Sequence, residues 1–164
     1  MGLEIERRFL VNGGEWIAHS RWQRRLRQGY LAASAAGFTV RVRISATSQA
    51  WITLKAAAAG IARHEFEYPI PLGDAEALLA LAPHQLSKVR HGLDLPGGDW
   101  VVDVFEAGNE PLVLAEVELV RADQPLEVPS WCGAEITGRG ELSNAALAVH
   151  PYGAWTAAER QVLS

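Results

Sequence analysis

The first strand-like segment of the chain alternates between charged and apolar residues. In an extended conformation, residues 3–9 would place Glu4, Glu6 and Arg8 on one face and three apolar side chains on the other. A single strand of this kind normally turns its polar side to water. However, similar charged positions with apolar neighbours recur along six further strand-like segments. The pattern therefore predicts a sheet with one charged face.

The charged positions form two sets of opposite sign. The carboxylates are Glu4, Glu6, Glu65, Glu67, Asp103, Glu116 and Glu118, and the bases are Arg8, Arg41, Arg43, Lys55, Arg63, Lys88 and Arg90. Burying so many ions without partners would be prohibitively costly. The charged faces must therefore be exposed, or they must surround water, counter-ions and a charged ligand. A closed sheet with a wet, charged interior satisfies this requirement.

The strand pattern predicts a mainly β fold of the α+β class. Turn-forming sequences between the predicted strands, such as residues 96–99, favour antiparallel neighbours. Eight strands are enough to close a barrel that holds side chains or one small ligand. The predicted strands are residues 3–11, 24–33, 38–46, 50–56, 62–70, 87–95, 100–106 and 112–121, with a weaker one at 134–137.

Few helices are predicted, and they are expected to be peripheral. Residues 74–82, opened by Asp74, carry Leu78, Leu79 and Leu81 and predict a short amphipathic helix that lies on the barrel. The other expected helical segments are a turn at residues 15–18, a helix capped by Ser143 that runs to Val149, and a terminal helix with capping-box spacing at Thr156 and Glu159.

Composition and charge restrict the class of protein. The chain has 164 residues, of which 49% are hydrophobic and 21% charged, as expected for one globular domain that spans residues 1–164. A formal charge of -4 argues against a general nucleic-acid binder. The basic run at residues 21–27 is the exception, and we expect it to be a solvated face with Trp22 and Leu26 packed inward.

The compartment can also be predicted from the sequence. Cys132 is the only cysteine, so no intrachain disulfide or cysteine zinc site can form. No apolar segment of 18 or more residues is present, and the first residues carry charges where a signal peptide would need an apolar core. We therefore expect a cytoplasmic protein that does not bind a membrane.

The mixture of charges indicates the kind of ligand. Closely spaced carboxylates favour hard divalent cations, because Mg²⁺ and Mn²⁺ prefer oxygen ligands. Arginines and lysines opposite them would hold phosphoryl oxygens. A metal, bases and a narrow interior together predict a site for a polyphosphate.

Nine segments in order along the chain resemble one known family. They are residues 4–11, 28–31, 40–44, 53–55, 63–70, 88–90, 102–105 and 114–119, followed by Ser143-Asn144 ahead of Leu147-Ala148. Together they resemble the CYTH, or triphosphate tunnel metalloenzyme, superfamily. The resemblance implies an eight-stranded antiparallel tunnel that binds a triphosphate group with a divalent metal, Mg²⁺ or Mn²⁺. Short bacterial members that resemble this chain hydrolyse inorganic triphosphate.

The resemblance also implies roles for individual residues. Metal would be held by Glu4, Glu6, Asp103, Glu116 and Glu118, with Glu65 and Glu67 supporting a second ion. Phosphates would be held by Arg41, Arg43, Lys55, Lys88 and Arg90, and the catalytic group would comprise Glu4, Glu6, Arg8 and Lys88. The partner implied is a small molecule that contains a triphosphate.

Two departures from the family pattern bear on the activity. Arg8 stands where the family has lysine, and Glu141-Leu142 replaces a basic residue followed by tyrosine. We expect these changes to weaken turnover more than binding, because a planar guanidinium does not replace an ammonium. If the segment around Glu141 plugs the tunnel, its charge would repel phosphate unless Arg139 compensates.

Alternative functions remain open at this point. Similar folds include class IV adenylyl cyclases and thiamine or nucleoside triphosphatases. A weakly catalytic protein that binds polyphosphate or nucleotide is a third possibility, which Arg8 and Glu141 favour.

The sequence also predicts a homodimer, because the few helices leave apolar positions uncovered on the outer faces of the barrel.

Overall fold

A computed structural model describes residues 2–34, 36–161 and 163 of the chain. Its main feature is an antiparallel sheet, in which each strand pairs with its neighbours in the opposite direction. The strands in the described residues are β1 (Leu3–Val11), β2 (Ser20–Ala33), β3 (Thr39–Ser45), β4 (Ala50–Ala57), β5 (Ala62–Pro69), β6 (His84–Leu93), β7 (Asp99–Phe105), β8 (Val113–Glu118) and β9 (Cys132–Glu135).

The sheet closes on itself through β1. The strand order is β5-β4-β3-β2-β6-β7-β8-β1-β9, and an additional pairing of β5 with β1 completes an eight-stranded barrel. β5 pairs with residues 3–5 of β1, whereas β9 pairs farther along the same strand, at Phe9 and Val11. β9 is therefore an extra strand that extends the edge of β1 beyond β5. The predicted eight-stranded antiparallel barrel is confirmed.

The longest ladder of the barrel joins β2 to β6. Both strands begin earlier in the chain than the sequence predicts. β2 begins at Ser20 rather than at residue 24, and β6 begins at His84 rather than at residue 87. Trp22 pairs with Gly92 at one end of this ladder, and Tyr30 pairs with His84 at the other. Backbone pairing thus extends both strands through residues whose side-chain pattern alone does not predict a strand.

Three α-helices lie in the described residues: α1 (Leu72–Leu81), α2 (Asn144–Val149) and α3 (Ala157–Gln161). None is long and apolar enough to span a membrane. α1 packs through Ala75 and Leu79 against the outer face of β3. The prediction that Asp74 opens this helix is wrong, because the helix starts directly after Pro71. Leu81, expected on its apolar face, is 74% exposed.

The predicted capping interactions are present at the smaller helical segments. The hydroxyl of Ser143 accepts a hydrogen bond of 3.1 Å from the backbone N–H of Ala146 and so caps α2. Thr156 and Glu159 form the reciprocal bonds of a capping box before α3. The expected turn after Gly14 is a short 3₁₀ helix, Glu15–His19.

An apolar plug fills one end of the barrel. Inward-facing Tyr30, Phe105 and Leu114 pack against Leu142 and Leu147 of the C-terminal segment, and all five side chains are buried. Burial of such side chains contributes about 1.5–3 kcal/mol each, which anchors α2 at this end. The charged positions of the same strands lie farther from the plug.

The outer face of β5 carries apolar side chains that none of the described helices covers. Phe66 and Tyr68 are 47% and 56% exposed, and Leu54 of β4 pairs directly with Phe66. Other outer faces are covered, for example by α1 over β3. This uncovered face is where the predicted homodimer would form.

We expect sedimentation equilibrium to give twice the chain mass at micromolar concentration, because pairing of two such faces removes apolar surface from water. Phe66→Ser together with Tyr68→Ser should shift the protein to a monomer. The matched control is Leu81→Ser, since this exposed residue lies on α1. A wild-type protein that sediments as a monomer would contradict the prediction.

Candidate active site

The strand register directs the predicted charged face into the barrel. Residues directly opposite each other in an antiparallel pair point to the same side of the sheet. Glu6 lies opposite Glu118 on β8, and Arg8 lies opposite Glu116. On the other side of β1, where β5 completes the barrel, Lys55 of β4 lies opposite Glu65 of β5. The two-residue spacing in the sequence thus becomes a set of inward-pointing side chains from neighbouring strands.

These side chains line one cavity of about 200 Å³. Most of the charged residues that the sequence predicts contribute to its wall, whereas Arg8, Arg63, Lys88 and Asp103 do not. Asn144 of α2 also contributes, although the charge pattern did not predict it; its only signal was membership of the Ser143-Asn144 segment. The wall consists of Glu4, Glu6, Arg41, Arg43, Lys55, Glu65, Glu67, Arg90, Glu116, Glu118 and Asn144.

Lys55 links two of the carboxylates. Its ammonium lies 2.9 Å from Glu4 and 3.2 Å from Glu65. Burial raises the pKa of the Glu4 carboxyl, but Lys55 more than offsets this and leaves that pKa below its usual value. Glu6 has no such basic partner among the described residues, and burial, together with Glu116 and Glu4, raises its pKa to about 8. Six acidic side chains in the cavity wall thus face four basic ones.

Glu116 lies between two arginines. Nε of Arg8 donates to one of its oxygens at 3.0 Å, and Nη2 of Arg90 donates to the other at 3.2 Å. Burial raises the pKa of Glu116, but Arg8 and Arg90 outweigh burial and lower it to about 2. This carboxylate is therefore ionised and fixed in position.

Lys88 and Asp103 form a fully buried ion pair behind the cavity wall. The ammonium of Lys88 donates to Asp103 at 2.7 Å and to the side-chain oxygen of Asn144 at 2.9 Å. Burial lowers the pKa of Lys88 to about 7, although Asp103 opposes that shift. Both oxygens of Asp103 also accept from the guanidinium of Arg90. Asp103 thus holds Lys88 and Arg90 and does not itself reach the cavity.

The basic wall contains guanidinium groups with few acidic partners. Arg41 donates to Thr53 and, at 3.4 Å, to Glu67, while its buried Nε has no hydrogen-bond partner in the described part of the chain. Arg43 donates to Gln28 at 2.9 Å and forms no ion pair with any described carboxylate. Burial, with Arg41 and Arg90 nearby, lowers the pKa of Arg43 to about 9. This part of the wall has unmatched positive charge and an unused donor, as a site for an anion would.

Arg8 connects the site to the plug. Besides its bond to Glu116, Arg8 donates through Nη1 to the backbone oxygen of Leu142 at 2.9 Å, and its buried Nη2 has no hydrogen-bond partner among residues 2–34, 36–161 and 163. The neighbouring Glu141, which replaces a basic residue of the family pattern, points to solvent and pairs with Arg139 at 2.7 Å. The expected repulsion of phosphate by Glu141 therefore does not arise, because its charge is outside the cavity and compensated.

The donor set fits a hard divalent cation. The cavity offers the carboxylate oxygens of six acidic side chains and one amide oxygen, which are the ligands that Mg²⁺ and Mn²⁺ prefer. As the side chains of the described residues stand, no three of the His, Cys, Asp and Glu groups are close enough to hold an ion. Burial, with Glu116 and Glu4 nearby, nevertheless raises the pKa of Glu6, and a cation bound beside this carboxyl would favour its ionised form.

Relatives of the chain act on triphosphate. It is 35% identical over 154 residues to an inorganic triphosphatase of Acetivibrio thermocellus, covering 93% of this chain and 97% of the relative. It is 36% identical over 153 residues to an inorganic triphosphatase of Nitrosomonas europaea, covering 89% and 97%. A crystal structure of an inorganic triphosphatase superposes with a TM-score of 0.64 at 32% identity, covering 89% of this chain and 94% of that one.

A protein-family model also matches the chain, over the part that forms the barrel and most of the charged cavity. The model of the CYTH domain matches residues 2–143, which include the barrel strands and the residues that supply the cavity except Asn144. The resemblance inferred from the strand motifs is thereby confirmed: the chain belongs to the CYTH domain family.

Proposed function

We propose that this protein hydrolyses inorganic triphosphate inside the charged cavity, with Mg²⁺ or Mn²⁺ as cofactor. The observation that carries the proposal is the convergence of acidic and basic side chains from separate strands on one enclosed space. The relatives that are inorganic triphosphatases support it, since they match almost the full length of the chain. In this proposal the partner of the protein is a small triphosphate-containing molecule, and neither a nucleic acid nor a membrane takes part.

The metal would bind on the acidic side of the cavity. We propose Glu4, Glu6, Glu116 and Glu118 as its ligands, with Glu65 and Glu67 available for a second ion. When bound, Mg²⁺ or Mn²⁺ would neutralise phosphate oxygens and lower the pKa of a bound water. Asp103, which the resemblance places among the ligands, has a different role in this proposal, because it is fully buried behind the wall and does not line the cavity.

The basic side would hold the phosphate chain. Arg41, Arg43, Lys55 and Arg90 line the cavity and can donate to phosphoryl oxygens. The unpartnered Nε of Arg41 is a donor that a phosphate oxygen would satisfy. Because these groups are already fixed by neighbouring side chains, they would stabilise the charge that develops on the phosphoryl oxygens with little rearrangement.

Arg8 and Lys88, the other predicted catalytic residues, would act from behind the wall. Arg8 fixes Glu116, and Lys88 holds the side chain of Asn144, which reaches the cavity. With a pKa of about 7, Lys88 can exchange a proton near neutral pH. The two residues thus connect the apolar plug to the groups that would touch the substrate.

The decisive experiment is a matrix of metals and substrates. We expect phosphate release from inorganic triphosphate only with Mg²⁺ or Mn²⁺. Glu4→Gln or Arg41→Ala should lower kcat/KM by about 100-fold or more, because the first removes a proposed metal ligand and the second a proposed donor to the phosphoryl oxygens. Glu127→Gln, an exposed position outside the cavity, is the matched control.

The same matrix tests the other functions. Formation of cyclic AMP and pyrophosphate from ATP would favour the adenylyl cyclase reaction, and preferred hydrolysis of thiamine triphosphate would favour that substrate. Tight triphosphate binding in calorimetry without turnover under any metal would indicate a binding protein. Each of these outcomes would contradict the proposed hydrolysis of inorganic triphosphate.

A second prediction concerns protons and metal. Because Glu6 keeps its proton below a pKa of about 8, a metal that binds this carboxyl must displace the proton at neutral pH. Calorimetry in buffers of different ionisation enthalpy should show release of about one proton per bound metal near pH 7 and almost none near pH 9. Glu6→Gln should abolish the release, whereas Glu127→Gln should retain it. Metal binding at neutral pH without proton release would refute this assignment.

A third prediction concerns Arg8→Lys. Lysine cannot donate to both Glu116 and Leu142 in the way the guanidinium does, so the unfolding free energy should fall by about 1–3 kcal/mol. The KM for triphosphate should change less than about threefold, since Arg8 does not line the cavity, while kcat should rise as Glu116 becomes freer to bind metal.

Arg7→Lys provides the comparison for Arg8→Lys. Arg7 is the next residue along β1 and pairs with Glu135 on the outer surface at 2.8 Å. This variant should change stability by less than about 1 kcal/mol and leave both kinetic parameters unaltered. A large increase of KM in Arg8→Lys would show instead that Arg8 contacts the substrate.

A further inference from the structure

The basic run at residues 21–27 divides between the two faces of β2. Its three outward arginines each pair with an acidic residue on the outer surface: Arg21 with Asp94 at 3.7 Å, Arg25 with Glu106 at 2.9 Å and Arg27 with Glu76 at 2.6 Å. These arginines are thus solvated and compensated, as the sequence predicts for the run.

Arg24 differs from the other arginines of the run. It lies opposite Arg90 on β6 and therefore points into the barrel. It forms no ion pair with any carboxylate in the described part of the chain. Its guanidinium instead lies over the ring of Trp22, 5.1 Å from the ring centroid. Arg24 is therefore an inward-facing cation with no acidic partner.

Trp22 provides a fixed support for this guanidinium. The prediction that Trp22 packs into the core is wrong, because the side chain is 43% exposed at the rim of the barrel. Its indole lies across Gly92, its partner on β6, where a Cβ atom would overlap the ring. A cation held against an indole face is attracted by the ring, which restricts where Arg24 can lie.

The two residues line a second cavity of about 140 Å³ that adjoins the charged one. Its wall comprises Trp22, Arg24, Leu26, Arg43, Trp51, Glu67 and Arg90. Arg43, Glu67 and Arg90 also line the charged cavity, so the two spaces meet at these side chains. We call this second space the tunnel mouth. A phosphate chain too long for the charged cavity would meet this second space at those side chains.

The charges of the tunnel mouth favour an anion. Three arginines face a single carboxylate, Glu67, which is already engaged by Arg41 and Thr53. Arg90 is compensated by Asp103 and Glu116, whereas neither Arg24 nor Arg43 has an acidic partner among the described residues. Two uncompensated guanidinium groups at one narrow opening match a phosphoryl group, which arginine binds through paired hydrogen bonds.

We propose that Arg24, supported by Trp22, forms with Arg43 an outer subsite at the tunnel mouth that holds a fourth phosphoryl group. The protein would then bind linear tetraphosphate, and longer polyphosphates, more tightly than triphosphate. This inference rests on the proposed function, since a fourth group reaches the mouth only when the first three occupy the charged cavity. Arg24 is a specificity-determining residue for chain length.

The test compares Arg24→Gln with Arg25→Gln. The two changes remove the same charge from adjacent residues, but Arg25 faces outward and pairs with Glu106. Calorimetric titrations of the full chain without added metal would use inorganic triphosphate and linear tetraphosphate. Arg24→Gln should raise the Kd for tetraphosphate about fivefold and the Kd for triphosphate less than twofold, as expected for one partly exposed charge-assisted contact. Arg25→Gln should leave both unchanged.

Trp22→Ala provides a second variant that keeps the charge of Arg24. It should weaken tetraphosphate binding selectively as well, because Arg24 loses its support. The proposal is overturned if wild-type protein binds tetraphosphate no more tightly than triphosphate, or if Arg24→Gln weakens both ligands equally or neither. Thermal unfolding of each variant confirms that it is folded.

A third titration, with ATP, tests whether the tunnel mouth binds a fourth phosphoryl group or the organic group of a nucleotide. ATP carries three phosphates and an organic group, so Arg24→Gln should weaken its binding less than that of tetraphosphate. A selective loss of ATP affinity would instead assign the mouth to the organic group and overturn the proposal. Hydrolysis of triphosphate with Mg²⁺ or Mn²⁺ is measured separately. Its absence alone would contradict the proposed function, whereas the binding differences alone decide the outer subsite.

Discussion

Pairing of opposite charges inside the barrel is the interaction on which the site depends. Asp103 is fully buried and holds both Lys88 and Arg90, and Arg90 in turn contacts Glu116 together with Arg8. Removing one member of such a buried pair would leave an uncompensated ion, at a cost of about 3–5 kcal/mol. The same ion pairs that offset the cost of burying these charges therefore also fix the side chains of the inner wall in position. The apolar plug at one end completes this arrangement through the bond from Arg8 to Leu142.

Charge that remains unmatched after this pairing indicates what the cavity binds. Glu6 lies among other carboxylates and has a raised pKa, whereas Arg41 keeps an unused donor and Arg43 has no acidic partner. Excess negative charge on one side suits a divalent cation, and excess positive charge on the other suits phosphate. A metal–triphosphate complex supplies both at once. The structure thus separates residues that build the wall from residues available to a ligand.

The sequence predicted the barrel well because one physical rule governs it. Charged residues two positions apart, with apolar residues between them, can share a face only in a strand, and eight such strands can close. The sequence could not predict how far along the barrel each inward-facing side chain lies, and therefore which of them reach the cavity. Arg8, Lys88 and Asp103 have the same inward pattern as Glu4, yet they lie behind the wall because the plug lies next to them. Trp22 and Asp74 were misplaced for a similar reason, since strand pairing and the start set by Pro71 override local side-chain pattern.

The most direct test of the account is a crystal structure of the protein with inorganic triphosphate and Mn²⁺, in which anomalous scattering locates the metal. Manganese should be bound by Glu4, Glu6 or Glu116, with the phosphate chain against Arg41 and Arg43 in the same cavity. Manganese and triphosphate bound at separate places on the outer surface, with an empty barrel interior, would contradict it.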